Sequence, residues 1–130
     1  MTRLIQAMAV SSLALCLSAA SASAETVAGD ALKALVAGKK VYLSTPYGIE
    51  FPLRYDTDGR VTGDASRFTL ARMFAPRETG RWWVDGERLC QKWPSWYDGR
   101  TFCFTVRAQG TGRISWVRDD GFSGSARIEG

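Results

Sequence analysis

The chain has no histidine. That absence removes Ser-His-Asp and Cys-His catalysis, and with them the usual histidine-rich zinc sites. Cysteine is nearly as scarce, with three residues in all. None of the three forms the C-x-x-C spacing of a redox motif. No run of lysines or arginines makes a phosphate-tracking stripe, so nucleic acid is not an expected partner. A long apolar run is also missing, except at the very start of the chain.

That start is informative. Arg3 gives a basic first region, the stretch 4–17 is apolar but for Gln6, Ser11 and Ser12, and Ala22-Ser23-Ala24 closes it before Glu25. A basic region, an apolar region and an A-x-A site make the secretory pattern, with cleavage expected after Ala24. The apolar stretch falls short of the ~20 residues that span a bilayer. Leu15 stands before Cys16, where a lipid-modified cysteine would need a small neighbour. The expectation is a signal peptide over 1–24, a single domain over 25–130, a periplasmic or secreted location, and no membrane span after cleavage. Loss of Arg3 takes the 17 basic side chains to 16 against 13 acidic ones, a net of +3.

Removing Cys16 leaves Cys90 and Cys103, which an oxidising compartment would join. Asp30 followed by Ala-Leu-Lys-Ala-Leu-Val-Ala and Gly38 predicts a short helix, with Asp30 as N-cap and Gly38 in the left-handed position after its end. From residue 40 onward the pattern is short β-rich runs, clearest at 40–44, 49–55, 81–84, 88–93, 101–107 and 113–118. Asp58-Gly59, Asp85-Gly86, Asp98-Gly99, Asp120-Gly121 and Gly110-Thr111-Gly112 supply turn chemistry between them. The fold class is therefore mainly β: an antiparallel meander curled into a barrel or a sandwich, with one short helix before it. The stretch 66–74 fits neither helix nor strand period.

If Asp85-Gly86 is a two-residue turn, Trp83 faces Arg88 and Trp82 faces Leu89. Leu89 and Trp93 then share one side of their strand, and Arg88, Cys90 and Lys92 the other. Pairing Cys90 with Cys103 sets Leu89 beside Phe104 and Lys92 beside Thr101. Pattern and pairing agree on a disulfide at Cys90 and Cys103, on the polar face.

No arrangement of side chains makes a catalytic set, and no cofactor or metal is expected. Asp56-Thr57-Asp58-Gly59 lacks the third ligand position and the closing glutamate of an EF-hand, and reads as a turn. Gly110-Thr111-Gly112 is followed by Ser115 where a dinucleotide fingerprint needs its last glycine. The aromatic residues carry more. Trp82, Trp93 and Trp116 fall on apolar faces and are expected in the core. Trp83 falls on the polar face beside Arg88, a candidate cation–π pair. Trp96 and Tyr97, in a turn, join them as candidates for contact with a partner.

The segment GRWWVDGERLCQKWPSWYDGRTFCFTVRAQGTGRISWVRDDGFSGSARI resembles a group of small secreted proteins of alphaproteobacteria. They share a G-x-W-W strand, an L-C-Q-x-W strand, a second cysteine about a dozen residues on, and a terminal G-x-S-G-x-A-x-I. GKKVYLSTPYGIEFPLRYDTDGRVTG resembles their first half. The resemblance implies no catalytic residues. Some such chains are labelled dihydrodipicolinate reductase, which the missing dinucleotide fingerprint does not support. Three roles follow as expectations. The first is a non-enzymatic envelope protein that binds a small apolar or sugar ligand, or another envelope protein, at a barrel mouth or an aromatic–basic patch. The second is a periplasmic hydrolase inhibitor presenting the rigid loop 94–99. The third is a hydrolase using Glu87, Asp119 or Asp120.

Overall fold

Alternation along the strands builds this molecule, because every second side chain from Val41 onward turns to a shared interior. A computed structural model describes residues 10, 12–14, 25–46, 48–66 and 76–130. The expected signal peptide, apart from residues 10 and 12–14, and the ambiguous stretch beyond Ser66 lie outside the described residues. Among the described residues, no helix is long and apolar enough to cross a membrane.

The elements are β1 (Thr26–Val27), α1 (Gly29–Val36), β2 (Lys39–Ser44), β3 (Glu50–Tyr55), β4 (Arg60–Asp64), β5 (Arg77–Asp85), β6 (Arg88–Lys92), β7 (Thr101–Ala108), β8 (Arg113–Arg118) and β9 (Ser123–Glu129). Strands β2 to β9 pair antiparallel in sequence order, and β9 returns to pair with β2. The eight-stranded sheet is therefore a closed meander barrel, which leaves no open edge. Short β1 extends the ladder on β7 past the end of β6, with Val27 opposite Val106.

Consecutive antiparallel strands put their connections at alternate ends. One end carries the β3–β4, β5–β6 and β7–β8 turns and is covered by α1. The helix forms from good helix formers, and Leu32 and Val36, four apart and so on one face, are fully buried. Burying such side chains stabilises by about 1.5–3 kcal/mol each. The Gly29 amide donates to the Gly86 carbonyl and the Gly38 amide to the Tyr55 carbonyl, tying both helix ends to strand ends. Gly38 takes the expected left-handed conformation, φ +73°. The N-cap, however, is Ala28 and makes no side-chain cap. Asp30 sits one place inside the helix, where its charge still favours the positive end of the helix dipole.

Two strands run where the sequence pattern gave no clear signal, β4 (RVTGD) and β9 (SGSARIE). Both carry small residues on the interior face because tryptophan rings fill the space opposite. A Cβ on Gly63 would lie 2.4 Å from the Trp96 ring, and one on Gly124 2.7 Å from the Trp116 ring. Gly80 on β5 is the third case, with the Trp93 ring and the Lys92 carbonyl against it. Large-against-small filling of this kind suits the tight interior of a small barrel. It also shows why glycine, normally a weak strand residue, recurs inside these strands.

The β5–β6 hairpin corrects one expected register. Asp85 faces Arg88, Trp83 faces Cys90 and Trp82 faces Gln91, so the two-residue loop is Gly86-Glu87. Gly86 at φ +58° occupies the first loop position, where a tight hairpin needs a positive φ. The slip moves each partner by two residues, so every side chain keeps its expected face. The β6–β7 register is the expected one: Cys90 faces Cys103, Leu89 faces Phe104 and Lys92 faces Thr101. The Cys90–Cys103 disulfide closes across that pair. Although both lie on the outer face of the ladder, Cys90 and Cys103 are buried.

Candidate functional site

The four side chains singled out by the sequence do not form one patch. Trp83 points outward from β5, 40% exposed, and lines a groove of about 460 Å³ with Asp30 and Lys33 of α1 and the β3–β4 turn. Arg88 lies opposite Asp85 and pairs with its carboxylate at 3.4 Å, whereas Trp83 faces Cys90, so the expected register of Trp83 opposite Arg88 does not form. Trp96, expected outside, folds in. Its ring is 4.7 Å from Trp93 and 5.7 Å from Phe51, over Gly63. Tyr97 stays 48% exposed at the barrel end opposite α1. Trp82 and Trp93 are buried as expected, and Trp116 packs partly buried against the core. The carboxylates of the hydrolase expectation are separated too. Glu87 is in the hairpin at the helix end, whereas Asp119 and Asp120 are in the β8–β9 turn at the other. Asp119 accepts from the Cys103 amide.

The end opposite α1 is built around Arg118. Its guanidinium makes a two-point contact with Asp120, 2.7 Å on each arm, which holds that carboxyl below the usual carboxylate range. Three rings from three elements surround the same group: Phe102 of β7 at 4.4 Å, Phe122 of the β8–β9 turn at 4.7 Å and Tyr97 at 5.2 Å. Only 12% of the Arg118 side chain is exposed. A weakly hydrated, delocalised cation is suited to such a ring cage.

The β6–β7 connection is fixed just as firmly. Glu78, facing inward opposite Gly63, accepts from the Ser95 and Trp96 amides at 3.0 Å and from the Ser95 hydroxyl. Tyr97 and Asp98 follow with φ of 56° and 58°, and Gly99 with 66°. Each non-glycine residue in that region costs roughly 1–2 kcal/mol. Strain of this sort persists only where the surroundings over-determine the backbone. Here the Glu78 clamp on one side and the Tyr97–Phe102 edge-to-face contact on the other do so.

Between these parts lies a recess of about 430 Å³, lined by Leu43, Thr45, Phe51, Tyr97, Trp116 and Ser123 among others. Below it a narrower cavity of about 60 Å³ runs into the barrel, sharing Leu43, Tyr97 and Trp116 with the recess. Its walls are apolar except for Tyr55, Gln91 and, near the rim, Tyr97 and Arg118. Among the described residues Gln91 is the buried polar residue of the core, 5% exposed, and its Oε1 accepts from the Tyr55 hydroxyl at 2.9 Å. Burial pushes the Tyr55 phenol well up, so it remains a proton donor throughout the physiological range. Among the described residues, no group of three His, Cys, Asp or Glu side chains is placed to hold a metal ion.

Gln91 and Arg118 were not singled out from the sequence, yet the signal was there. Leu89, Gln91 and Trp93 share one strand face, as do Ile114, Trp116 and Arg118. A polar residue within an apolar alternation is either satisfied internally or offered to a ligand. Fold and site together define a closed meander barrel with a capped end and an aromatic-rimmed open end. No protein-family model, curated protein or solved structure matches the chain.

Proposed function

We propose that this is an exported, non-catalytic binding barrel that takes a small, largely apolar ligand at the end opposite α1. One observation carries the reading: the aromatic recess at that end shares Leu43, Tyr97 and Trp116 with a cavity inside the barrel. Such a concave, mostly apolar lining with a few placed polar groups is the usual make-up of a small-molecule site. The secretory pattern ending at Ala24 and the Cys90–Cys103 disulfide support a periplasmic or secreted location. The resemblance to small secreted alphaproteobacterial proteins points the same way. The test is a binding screen of flat apolar probes such as indole, comparing the wild-type chain with Tyr97→Ala/Phe122→Ala. Both rings are largely surface-exposed, Tyr97 at 48% and Phe122 at 65%, so the double variant stays folded with a lowered melting temperature and loses binding. Unchanged binding in the folded variant would overturn the reading.

A second reading, an inhibitor of a periplasmic hydrolase, is favoured by the loop 94–99. Glu78 braces this loop, and its left-handed backbone presents Tyr97 in one conformation. A pre-ordered loop loses little entropy on docking. Stoichiometric co-purification with a hydrolase, abolished by Tyr97→Ala but not by indole, would select this reading over the first.

A further inference from the structure

The Tyr55–Gln91 pair has no evident structural need. Strand interiors around it are apolar, and a well-packed apolar pair of the same shape would serve the core at least as well. What the pair does is orient an amide. The Tyr55 proton needs an acceptor, and Oε1 of Gln91 is the one it finds. The opposite amide flip would orphan that proton in the core, so the Gln91 NH₂ is held on the other side. There it has no hydrogen-bond partner among the described residues, and Gln91 lines the interior cavity.

We propose that the interior cavity recognises the slim end of an uncharged ligand bearing a hydrogen-bond acceptor, with the Gln91 amide as the donor. The ligand class is a ketone, ester or alcohol on a short apolar chain. This rests on the binding role of the open end and names what that end admits. Three physical points set the class. A cavity of about 60 Å³ offers about four to six water-sized positions, enough for the end of a short chain and too few for a bulky tail. Its deep walls, Val36, Val41, Leu53, Leu89, Val106 and Ile114, are apolar, which leaves Gln91, the Tyr55 hydroxyl and the unpartnered Trp116 indole N–H as the few polar partners beneath the rim. An apolar chain with one acceptor satisfies both the wall and the amide. Finally, a charged end would find no free counter-ion, since the Arg118 guanidinium is engaged by Asp120.

The experiment is a titration of the isotope-labelled full chain with 2-hexanone and with n-hexane, read by NMR. On the wild type, 2-hexanone shifts the Gln91 side-chain amide signals. In Tyr55→Phe/Gln91→Leu, which removes the pair without orphaning either member, the preference for 2-hexanone over hexane falls by about tenfold. A Gln91 amide unmoved by saturating 2-hexanone overturns the inference, and that result needs no variant. An unchanged preference in the folded double variant overturns it as well. The binding role of the open end is read separately, from the Tyr97 and Phe122 ring signals on adding indole. If those respond and Gln91 does not, the interior inference fails and the open-end reading stands. If the rings stay silent, the open-end reading itself falls.

Discussion

The two ends of the barrel are built from the same kinds of residue and put to opposite uses. At the helix end, Leu32 and Val36 are wholly buried and both helix termini are tied by backbone hydrogen bonds to strand ends. At the other end, Ile49, Tyr97 and Phe122 from three different connections remain exposed, and one arginine and one glutamate hold the loops in place. Most apolar surface at the first end is consumed by the fold, Trp83 beside α1 being left partly exposed. At the second it is organised by charge and left accessible, which is what an interaction surface requires.

Perturbing the closed end should have the largest effect on stability. Leu32→Ala removes a fully buried side chain and is expected to lower unfolding free energy by about 2–5 kcal/mol in urea titrations. A loss below about 1 kcal/mol would mean that α1 is not part of the cooperative core. Reducing the Cys90–Cys103 bridge, or replacing both cysteines by serine, frees a 13-residue separation and should cost about 3 kcal/mol. Because the bridge joins the strands that carry the 94–99 loop, the binding proposed for the open end should weaken in parallel.

Next come two glycines that contrast the ends of one interior. Gly80→Ala drives a methyl to 2.4 Å from the Lys92 carbonyl, an obstacle that is backbone and cannot swing away. It should destabilise by about 1–3 kcal/mol. Gly63→Ala meets the Trp96 ring instead, in the connection at the open end. It should cost less and alter the near-ultraviolet circular dichroism of that tryptophan. Equal losses would show the open end to be as rigid as the barrel wall. Asp98→Gly should act in the other direction, raising stability by at most about 1 kcal/mol through relief of its left-handed backbone.

The smallest effect concerns pH. The Asp120 carboxyl, hydrogen-bonded by Arg118, and the Glu50 carboxyl, hydrogen-bonded by Arg127, both titrate below their ordinary values in the folded chain. Their contribution is complete above about pH 4–5, the ordinary carboxyl range, and is lost as pH falls through the lowered values. Melting temperature should therefore decline on acidification below that range. Asp120→Asn should flatten the decline and loosen Phe122 and Tyr97, whereas Glu50→Gln should flatten it without touching the rim.

Much of this was legible in the chain. Asp-Gly and Gly-x-Gly turns between short alternating runs specify a meander, and parity across 88–93 and 101–107 placed the two cysteines opposite each other. The helix was legible from its own formers and from Gly38. Strands β4 and β9 were hidden because the apolar alternation that Val61 and Ile128 alone would have signalled is interrupted by Gly63, Gly124 and Ala126. Propensity marks such residues as non-strand, and only the rings of Trp96 and Trp116 explain them. The outward placement expected of Trp96 failed for the same reason: a turn residue has no parity, and the vacant volume above Gly63 drew its ring inward. The slip at Gly86-Glu87 shows that a glycine pair names a hairpin before it names its register.

Local sequence, then, determined what depends on neighbours along the chain: strand period, turn chemistry, helix ends, and the face on which each side chain lies. Tertiary structure alone decided what depends on closure. When β9 returned to β2, Gln91 and Tyr55, 36 residues apart, met inside an apolar barrel. The same closure turned three glycines into sockets for three tryptophans and set Phe102, Tyr97 and Phe122 around Arg118. The reason is physical. Backbone preference acts over a few residues, whereas volume, buried hydrogen bonds and ring–cation contacts are settled only when distant segments share the same space.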